Sequence, residues 1–332
     1  MASDHGLRAG LRIVDEDADG VDRAFREDVL RGLAQRQKAV PSRWFYDEAG
    51  SRLFEDITAL AAYYPTRAET EILARRGSEI AGLTGEGRAV VEFGSGSSAK
   101  TPHLLRAIAP AAYVPIDISG DFLRKSSAAL AADFPGLAVF PVEADFTKPV
   151  ELPGLVAGLP KLGFFPGSTI GNLVPPTAVD LLRSMRATLG DGSQLLIGLD
   201  LIKDPAMLVA AYDDAEGVTA AFNLNLLDRI NRELDGDIPV AAFRHEARWN
   251  DSLSRIEMHL VAGSDVDFEV AGQPFAIRAG ESIHTENSHK YEPRGSTMLL
   301  LAGGWTPLAR WTDSQERFSV VLAEASEPRS AP

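Results

Sequence analysis

Hydrophobic residues in the middle of the chain fall into short runs separated by segments with helical spacing. The apolar runs cover residues 89–93, 113–116, 138–142, 162–166 and 194–202. Strands that alternate with helices of this length predict an α/β fold, with a parallel sheet and helices on both faces. In such sheets ligands bind outside the carboxyl ends of the strands. Residues at these strand ends are therefore the first candidates for a functional site.

The part of the chain before this alternation is patterned for helices. Apolar residues recur at helical spacing at Val21, Phe25, Val29, Leu30 and Leu33. They predict an amphipathic helix within residues 17–39, and a second helix is expected over residues 51–60. Pro65 is followed by Thr66 and Glu69, which have the spacing of a capping box and predict that a third helix begins there.

The pattern changes after residue 202. One or two helices are predicted over residues 205–237. Antiparallel strands are predicted over residues 243–249, 254–262, 266–270 and 275–277. Residues 294–302 are apolar and fit either a helix or a strand. A final hairpin is predicted over residues 305–311 and 318–325, so a β-rich insertion is expected to interrupt the parallel sheet.

Composition narrows the function. The chain has 332 residues, 45% hydrophobic and 24% charged, as in a folded protein of one large or two modest domains. Cysteine is absent, which excludes disulfides and thiol catalysis. The six histidines lack the spacing of a zinc motif within one element, so no metal is expected.

Charge and hydropathy bear on the partners. The formal net charge of −14 argues against binding a phosphate backbone, so a small-molecule substrate is expected rather than nucleic acid. Neither a long apolar run nor a secretory leader is visible, so we expect no membrane partner and a cytoplasmic location. We also expect a monomer.

The stretch from residue 89 to residue 101 organises the chemistry. Gly94 and Gly96 follow an apolar strand directly, and a helix is predicted to begin near Ser98 or Lys100. Asp117 ends the next strand, 21 residues beyond Gly96. That spacing suits an acidic side chain that binds the hydroxyls of a ribose. A nucleoside-bearing ligand is the leading hypothesis.

Four interpretations of this glycine loop remain open at this point. Ala99 stands where a phosphate-binding P-loop needs its second glycine. The same alanine replaces the third glycine of a dinucleotide fingerprint, where alanine is sometimes allowed. Glu92, Gly94 and Gly96 fit the Glu-x-Gly-x-Gly loop of S-adenosylmethionine methyltransferases. A turn without any ligand is the fourth interpretation, and Asp117 weighs against it.

Several motifs, taken in order, resemble one family. They are Trp44-Phe45-Tyr46-Asp47, Tyr63-Tyr64-Pro65-Thr66-Arg67, Glu92-Phe93-Gly94-Ser95-Gly96, Gly167 to Leu173, Ala211-Tyr212-Asp213-Asp214, and Thr285-Glu286-x-Ser288-x-Lys290. Over about residues 20–325 the chain resembles the S-adenosylmethionine-dependent L-histidine Nα-methyltransferases that open ergothioneine biosynthesis. The resemblance implies a Rossmann-like class I methyltransferase sheet with a second, smaller α+β substrate-binding lobe. It also favours a helix over residues 294–302.

The resemblance implies a set of residues for S-adenosyl-L-methionine, the methyl donor. Gly94 and Lys100 would bind its methionine and sugar end, Asp117 its ribose, and Asp145 with Phe146 its adenine. Without the resemblance, Lys100 could be an exposed residue at a helix start. Asp145 could equally be a helix cap, and Phe146 a core residue.

A second set is implied for the amino-acid end of the substrate. Asn172 and the Gly167 carbonyl region would hold the α-amino group. Tyr63 and Tyr212 would donate their hydroxyls to the carboxylate, although an aromatic pair before a helix is often only core packing. Tyr46 would approach the amine as a proton relay, a role that an ordinary tyrosine pKa near 10 makes difficult.

A third set is implied for the imidazole ring. Glu286 would accept from one ring N–H, Ser288 would complement the other nitrogen, and Met258 would pack against the ring. Asn287 replaces the small aliphatic residue usual in the family, and with His289 nearby we expect a more polar ring pocket. The implied reaction adds three methyl groups in succession and gives hercynine, the trimethyl betaine of histidine.

The resemblance also divides the chain. The cofactor domain is expected over residues 68–202 and 290–328, the substrate domain over 18–67 and 203–289, and a flexible N-terminus over 1–17. Three other hypotheses are kept. They are an Nα-methyltransferase of another aromatic amino acid or amine, such as a tryptophan derivative, a non-catalytic adenosyl-nucleotide sensor, and a nicotinamide oxidoreductase.

Overall fold

The computed structural model describes residues 22–96, 100–118 and 120–326. The predicted flexible N-terminus and the helix start proposed at Ser98 lie outside this part of the chain. Among the helices described, none combines the length and the apolar character that crossing a membrane requires.

Three helices and a short strand precede the main sheet. They are α1 (Arg23–Leu33), β1 (Lys38–Ala39), α2 (Glu48–Ala59) and α3 (Tyr64–Thr84). The Asp22 carboxylate begins α1 by accepting from the N–H groups of Ala24 and Phe25, at 2.8 and 3.2 Å. Asp47 begins α2 in the same way, accepting from the Gly50 N–H at 2.7 Å. Both helices therefore start at a side-chain cap.

The predicted alternation of strands and helices is confirmed in the middle of the chain. Its elements are β2 (Ala89–Phe93), α4 (Thr101–Ile108), β3 (Ala112–Asp117), α5 (Gly120–Asp133), β4 (Ala138–Val139), β5 (Val142–Glu143), β6 (Lys161–Phe165), α6 (Pro175–Leu189) and β7 (Gln194–Asp200). The strand predicted over residues 138–142 is divided into β4 and β5, which pair with successive parts of β3.

The remaining elements follow the predicted order with one addition, because Ser282–His289 forms a strand that the sequence analysis did not predict. They are α7 (Pro205–Tyr212), α8 (Val218–Glu233), β8 (Phe243–Asn250), β9 (Arg255–Ala262), β10 (Val266–Val270), β11 (Gln273–Ile277), β12 (Ser282–His289), α9 (Pro293–Ala302), β13 (Trp305–Thr312) and β14 (Phe318–Ala325). The ambiguous segment is the helix α9, and the final hairpin is β13 with β14.

The main sheet has the order β13-β14-β7-β6-β2-β3-β4, with β5 also paired to β3. The strands from β7 across to β4 and β5 are parallel, whereas β14 runs antiparallel to both β7 and β13. The central strand β2 carries the glycine loop at its carboxyl end. This arrangement confirms the predicted Rossmann-like α/β fold class.

Alternate residues of the parallel strands lie on opposite faces of the sheet and pack into two separate hydrophobic cores. Val91 packs into the cluster that contains α6 and Trp305, whereas Val90 packs into the cluster beside α3 and α4. A third core joins α1, α2 and α8 to the second sheet, which has the order β1-β12-β9-β8. This third core is separate from the other two and supports the proposal of a substrate lobe. The boundaries of that lobe remain a prediction.

The predicted capping box is wrong. Helix α3 begins at Tyr64, and no side chain caps it. Glu69, the expected capping residue, is fully buried. Its carboxylate instead accepts from Lys100 and from the Gly167 N–H. The helix start predicted from these residues was therefore close, but the role given to Glu69 was not.

Candidate active site

The glycine loop turns sharply at the carboxyl end of β2. Gly94 and Gly96 have φ values of 68° and 43°, which favour glycine. The Gly96 N–H donates to the Asp117 carboxylate at 3.2 Å, so the loop and the end of β3 are joined directly. A Cβ atom at Gly94 would lie 3.4 Å from the Phe146 ring, and a larger side chain would therefore fill the cleft.

Glu92, the acid of the glycine motif, lies beneath the loop rather than in the cleft. It is buried, and its Oε2 accepts from the hydroxyls of Thr101 and Tyr113 at 2.7 and 2.6 Å. Burial raises the pKa of Glu92 to about 7, although the two hydrogen bonds act to lower it. Its role in this structure is to tie β2 to the start of α4 and to β3.

Asp145 and Phe146 lie after β5, near the glycine loop. The Asp145 carboxylate accepts from the N–H and the hydroxyl of Thr147, at 3.0 and 2.6 Å, so it makes a local turn. The Phe146 ring meets Phe93 and Phe165 edge-on at 6.2 and 6.1 Å. The helix cap suggested for Asp145 is therefore wrong, whereas Phe146 packs against the core and in addition borders the cleft at Gly94.

Glu69 links the two loops expected to hold cofactor and substrate. Its Oε2 accepts from Lys100 and, at 2.9 Å, from the N–H of Gly167. Its Oε1 is buried without a partner among the described residues. That oxygen lies only 2.1 Å from where a Cβ atom would stand on Gly198, so this glycine makes room for the carboxylate. No local pattern of residues signalled this link.

The turn after β6 presents Asn172. It forms a short 3-10 helix (Thr169–Asn172), preceded by Ser168 with a φ of 57°. The Ser168 hydroxyl accepts from the Asp200 N–H at 2.9 Å, and the His289 ring donates to the Gly171 carbonyl at 2.8 Å. The turn is therefore fixed on both sides. The half-buried Asn172 amide has no hydrogen bond to another described residue, and so it can receive a ligand.

Three tyrosines line the adjacent space. The rings of Tyr63 and Tyr212 meet edge-on with centroids 6.0 Å apart. Tyr46 packs edge-on against Phe54 and Phe222, at 5.6 and 5.8 Å. The structure therefore brings together the three tyrosines to which the sequence analysis gave substrate roles.

Burial raises the pKa of all three tyrosines. For Tyr46, the neighbouring Glu286, Tyr63, Tyr212 and Asp117 add to this effect. Tyr46 therefore stays protonated at neutral pH. It can pass a proton as a hydroxyl, but it does not act as a phenolate base.

Glu286, Ser288 and Met258 lie on one face of the second sheet. Glu286 stands directly opposite Met258 in the β12–β9 register, and Ser288 lies two residues further along β12. Cross-strand partners and alternate residues of a strand share a face. Asn287 instead stands opposite Glu257 and so lies on the other face. Our expectation that Asn287 makes the ring pocket more polar is wrong for this reason.

His289, the other residue expected to add polarity, faces away as well. Its ring is committed to the Gly171 carbonyl. Both residues alternate with Glu286 and Ser288 along β12, so strand geometry separates them from the ring-binding face. The pocket that remains is formed by one carboxylate, one hydroxyl and a thioether.

Glu286 has the environment of a ligand-binding carboxylate. It is half-buried and forms neither a hydrogen bond nor an ion pair with another described residue. Burial raises its pKa to about 7, and the charge of Lys290 opposes this rise. A half-buried carboxylate without a partner is costly, so this residue is a functional candidate.

Behind Glu286 lies a buried charge network that the sequence analysis did not assign. The Asp200 carboxylate, at the end of β7, pairs with Lys290 at 2.8 Å and Lys203 at 2.6 Å. Tyr64 donates to Asp200 at 2.8 Å. Asp200 and Lys203 are close in the sequence. Tyr64 and Lys290 come from distant parts of the chain, and the family motifs that contain them gave no sign of this network.

A second polar cluster, on the opposite face of the sheet, consists of Glu257, His259 and His284. Their ligand atoms lie within 4.8 Å of one another. The two rings stack with centroids 4.8 Å apart and planes at 14°, so their in-plane lone pairs do not converge on one point. Arg255 also pairs with Glu257 at 2.6 Å. These residues come together because β9 and β12 are neighbouring strands. A search for metal-ligand spacing within one segment of the sequence could not find such a cluster.

The fold and the cleft define a class of protein. A parallel sheet with a reversed edge, a glycine loop after its central strand and an acid after the next strand are those of a class I S-adenosylmethionine-dependent methyltransferase. The sequence profile of the family described as histidine-specific, S-adenosylmethionine-dependent methyltransferases matches residues 25–325. The chain belongs to this family.

Characterised relatives agree in length with the chain. The histidine N-alpha-methyltransferase of Mycolicibacterium smegmatis is 42% identical over 313 residues, covering 92% of this chain and 96% of the relative. The Mycobacterium tuberculosis enzyme of the same name is 41% identical, covering 90% and 94%. The 4-dimethylallyltryptophan N-methyltransferase of Claviceps purpurea is more distant, at 25% identity over 91% and 95%.

Proposed function

We propose that this protein transfers methyl groups from S-adenosylmethionine to the α-amino nitrogen of L-histidine. Three successive transfers give hercynine, the first step of ergothioneine biosynthesis. The observation that carries the proposal is the unpartnered Glu286 carboxylate, on one face with Ser288 and Met258. A neutral imidazole offers one N–H and one lone-pair nitrogen, and these two side chains can meet both.

The cofactor cleft fits the methyl donor. Gly94 leaves room for close approach, and Asp117 lies at the end of β3, where a ribose hydroxyl would meet it. Glu69 pairs with the ammonium group of Lys100 and holds it in place. Lys100 would then face the carboxylate of the methionine moiety. Asp145 and Phe146 would border the adenine. The bound S-adenosylmethionine supplies an electrophilic methyl group on its sulfonium.

The transfer requires a neutral amine aimed at that methyl group. An α-amine with a pKa of about 8 is mostly protonated at neutral pH, so it must lose a proton before each attack. The Asn172 amide oxygen and the Gly167 carbonyl orient the amine for in-line displacement. Each transfer forms one C–N bond and breaks one S–C bond, and three transfers release three protons. We assign the relay of these protons to the Tyr46 hydroxyl.

The amino-acid carboxylate would meet Tyr63, beside the positive end of the Lys290 and Lys203 network. Methylation turns the amine into a quaternary ammonium. The aromatic walls formed by Tyr46, Tyr63 and Tyr212 suit such a cation, because ring faces attract positive charge. The same pocket can therefore hold the substrate and each methylated intermediate.

The test is mass spectrometry of L-histidine incubated with the protein and S-adenosylmethionine. We expect singly, doubly and triply methylated histidine, with the trimethyl form accumulating. A competition with L-tryptophan separates the alternative acceptor class, since an indole has an N–H for Glu286 but no lone-pair nitrogen for Ser288. Preferential methylation of tryptophan, or no methylated histidine from protein that binds S-adenosylhomocysteine, would contradict the proposal.

A further inference from the structure

The Lys290 ammonium group is buried directly behind the substrate face. It donates to Asp200 at 2.8 Å, to the Tyr212 hydroxyl at 3.0 Å and to the Ser288 hydroxyl at 2.8 Å. An ammonium group has three N–H donors and no acceptor. Each donor therefore has one partner, and the orientation of the group is fixed.

The hydroxyl protons can be assigned from these contacts. The oxygens of Tyr212 and Ser288 are 2.8 Å apart, so one of their two protons lies between them. The Tyr212 oxygen already accepts from Lys290, and a phenol oxygen is a weak second acceptor because its ring withdraws one lone pair. Tyr212 therefore donates to Ser288. The Ser288 oxygen then accepts twice, which fills both of its lone pairs.

We propose that Lys290 is a positioning residue that makes Ser288 an obligatory hydrogen-bond donor to the substrate ring. This inference rests on the proposed function. A donor at Ser288 and an acceptor at Glu286 select a neutral imidazole in one tautomer. Ser288 touches Tyr212, on the side of the amino-acid end, so it meets the ring nitrogen Nδ1, and Glu286 meets the Nε2–H.

The proton count revises one expectation from the sequence. The Tyr212 proton is used on Ser288, so Tyr212 is not available to donate to the substrate carboxylate.

Two substrate analogues isolate the Ser288 contact. β-(4-Thiazolyl)-L-alanine has a lone-pair nitrogen at the position of Nδ1, and β-(3-thienyl)-L-alanine has a C–H there. Neither ring has an N–H for Glu286, so both lose that contact equally. The measurement is the ratio of their dissociation constants, by calorimetry with S-adenosylhomocysteine bound.

The wild-type protein should prefer the thiazolyl analogue by about ten-fold or more, because the thienyl ring leaves a buried donor unpaired. Lys290→Met should lower this ratio to about two or less. Without the lysine, the Tyr212 oxygen can accept again, and the Ser288 hydroxyl can turn inward to it when the ring offers no acceptor.

Lys203→Met is the matched control. It removes the other lysine on Asp200, and Lys203 has no contact with Ser288 or Tyr212, so the wild-type ratio should be kept. If Lys290→Met fails to bind S-adenosylhomocysteine, the double variant Asp200→Asn/Lys290→Met is measured instead, because it leaves no buried carboxylate short of a partner.

Three results would overturn the inference. They are a wild-type ratio near one, a ratio unchanged by the loss of Lys290, and an equal fall in Lys203→Met. L-Histidine is titrated in parallel to separate these results from failure of the proposed function. If histidine does not bind to wild-type protein that binds S-adenosylhomocysteine, the proposed function fails, and the inference fails with it.

Discussion

The buried Glu69 carboxylate gives the sharpest test of how the two halves of the site are joined. Substitution of Glu69 by glutamine keeps the shape of the side chain and one acceptor oxygen, but removes the charge. Two hydrogen bonds are affected, from Lys100 and from the Gly167 N–H at 2.9 Å. The amide nitrogen would take the place of Oε1, beside Gly198, where the wild-type oxygen has no partner in the described part of the chain.

The magnitude follows from the change of charge. A hydrogen bond to a charged group contributes about 1 kcal/mol more than a neutral one, so two weakened bonds predict a loss of about 2 kcal/mol. Lys100 keeps 16% side-chain exposure, so water can solvate part of its released charge. Because Glu69 also holds the Gly167 loop, the affinity for histidine should fall about five-fold, as about 1 kcal/mol in binding implies.

The assays are urea unfolding without ligands and calorimetry of histidine with S-adenosylhomocysteine present. Glu79→Gln is the control on the same helix, because Glu79 pairs with Arg76 at the surface and a glutamine there can still accept from the Trp311 ring N–H. We expect it to change stability by less than about 1 kcal/mol. A Glu69→Gln protein with wild-type stability and wild-type histidine affinity would refute the proposed link.

Three further predictions concern neighbouring groups. Gly198→Ala should lower the free energy of unfolding by about 1–3 kcal/mol, because its Cβ would lie 2.1 Å from Glu69. An unchanged melting temperature would contradict this prediction. Gly82→Ala is the control, because a Cβ at Gly82 would meet open space. Asn172→Ala should lower kcat/KM for histidine about ten-fold or more, with unchanged affinity for S-adenosylhomocysteine; an unaltered kcat/KM would exclude the proposed contact with the amine. Burial raises the Glu286 pKa from 4.5 to about 7, so wild-type protein loses stability relative to Glu286→Gln as the pH rises through that window. The difference in the free energy of unfolding between the two proteins should reach about 1–3 kcal/mol and then stay constant at higher pH. Urea unfolding at a series of pH values measures this difference. A difference that does not change with pH would show that the carboxylate is solvated and would contradict the prediction.

Local patterns were sufficient for most of the fold. Strand β2 has the predicted bounds, and the alternation that follows it gave the parallel sheet. The ambiguous segment became the helix α9, as the family resemblance implied. Positions at strand ends also predicted that the glycine loop and Asp117 would meet, because the carboxyl ends of parallel strands share one edge.

Long-range pairing could not be predicted in this way. Glu69 has the local spacing of a capping residue, and only the folded chain brings Lys100 and the Gly167 loop to it. The buried network of Asp200 and Lys290 joins residues 90 positions apart. A lysine beside an apolar segment carries no sign of the carboxylate that it will meet.

The misplacement of Asn287 has a different cause. Sequence proximity to Glu286 suggested a shared pocket, whereas side chains alternate between the two faces of a strand. The register of β12 with β9 decides which face each residue takes, and an irregularity between His284 and Glu286 resets that register just before the site. Nothing in the residue pattern marked it.

The central claim is that Glu286 reads the imidazole ring of L-histidine. It is tested most directly by calorimetric titration of histidine into protein saturated with S-adenosylhomocysteine, for the wild type and for Glu286→Leu. We expect the wild type to bind histidine and the variant to bind it at least about ten-fold more weakly, with equal affinity for S-adenosylhomocysteine. Equal histidine affinities, or no histidine binding by wild-type protein that binds S-adenosylhomocysteine, would contradict the claim.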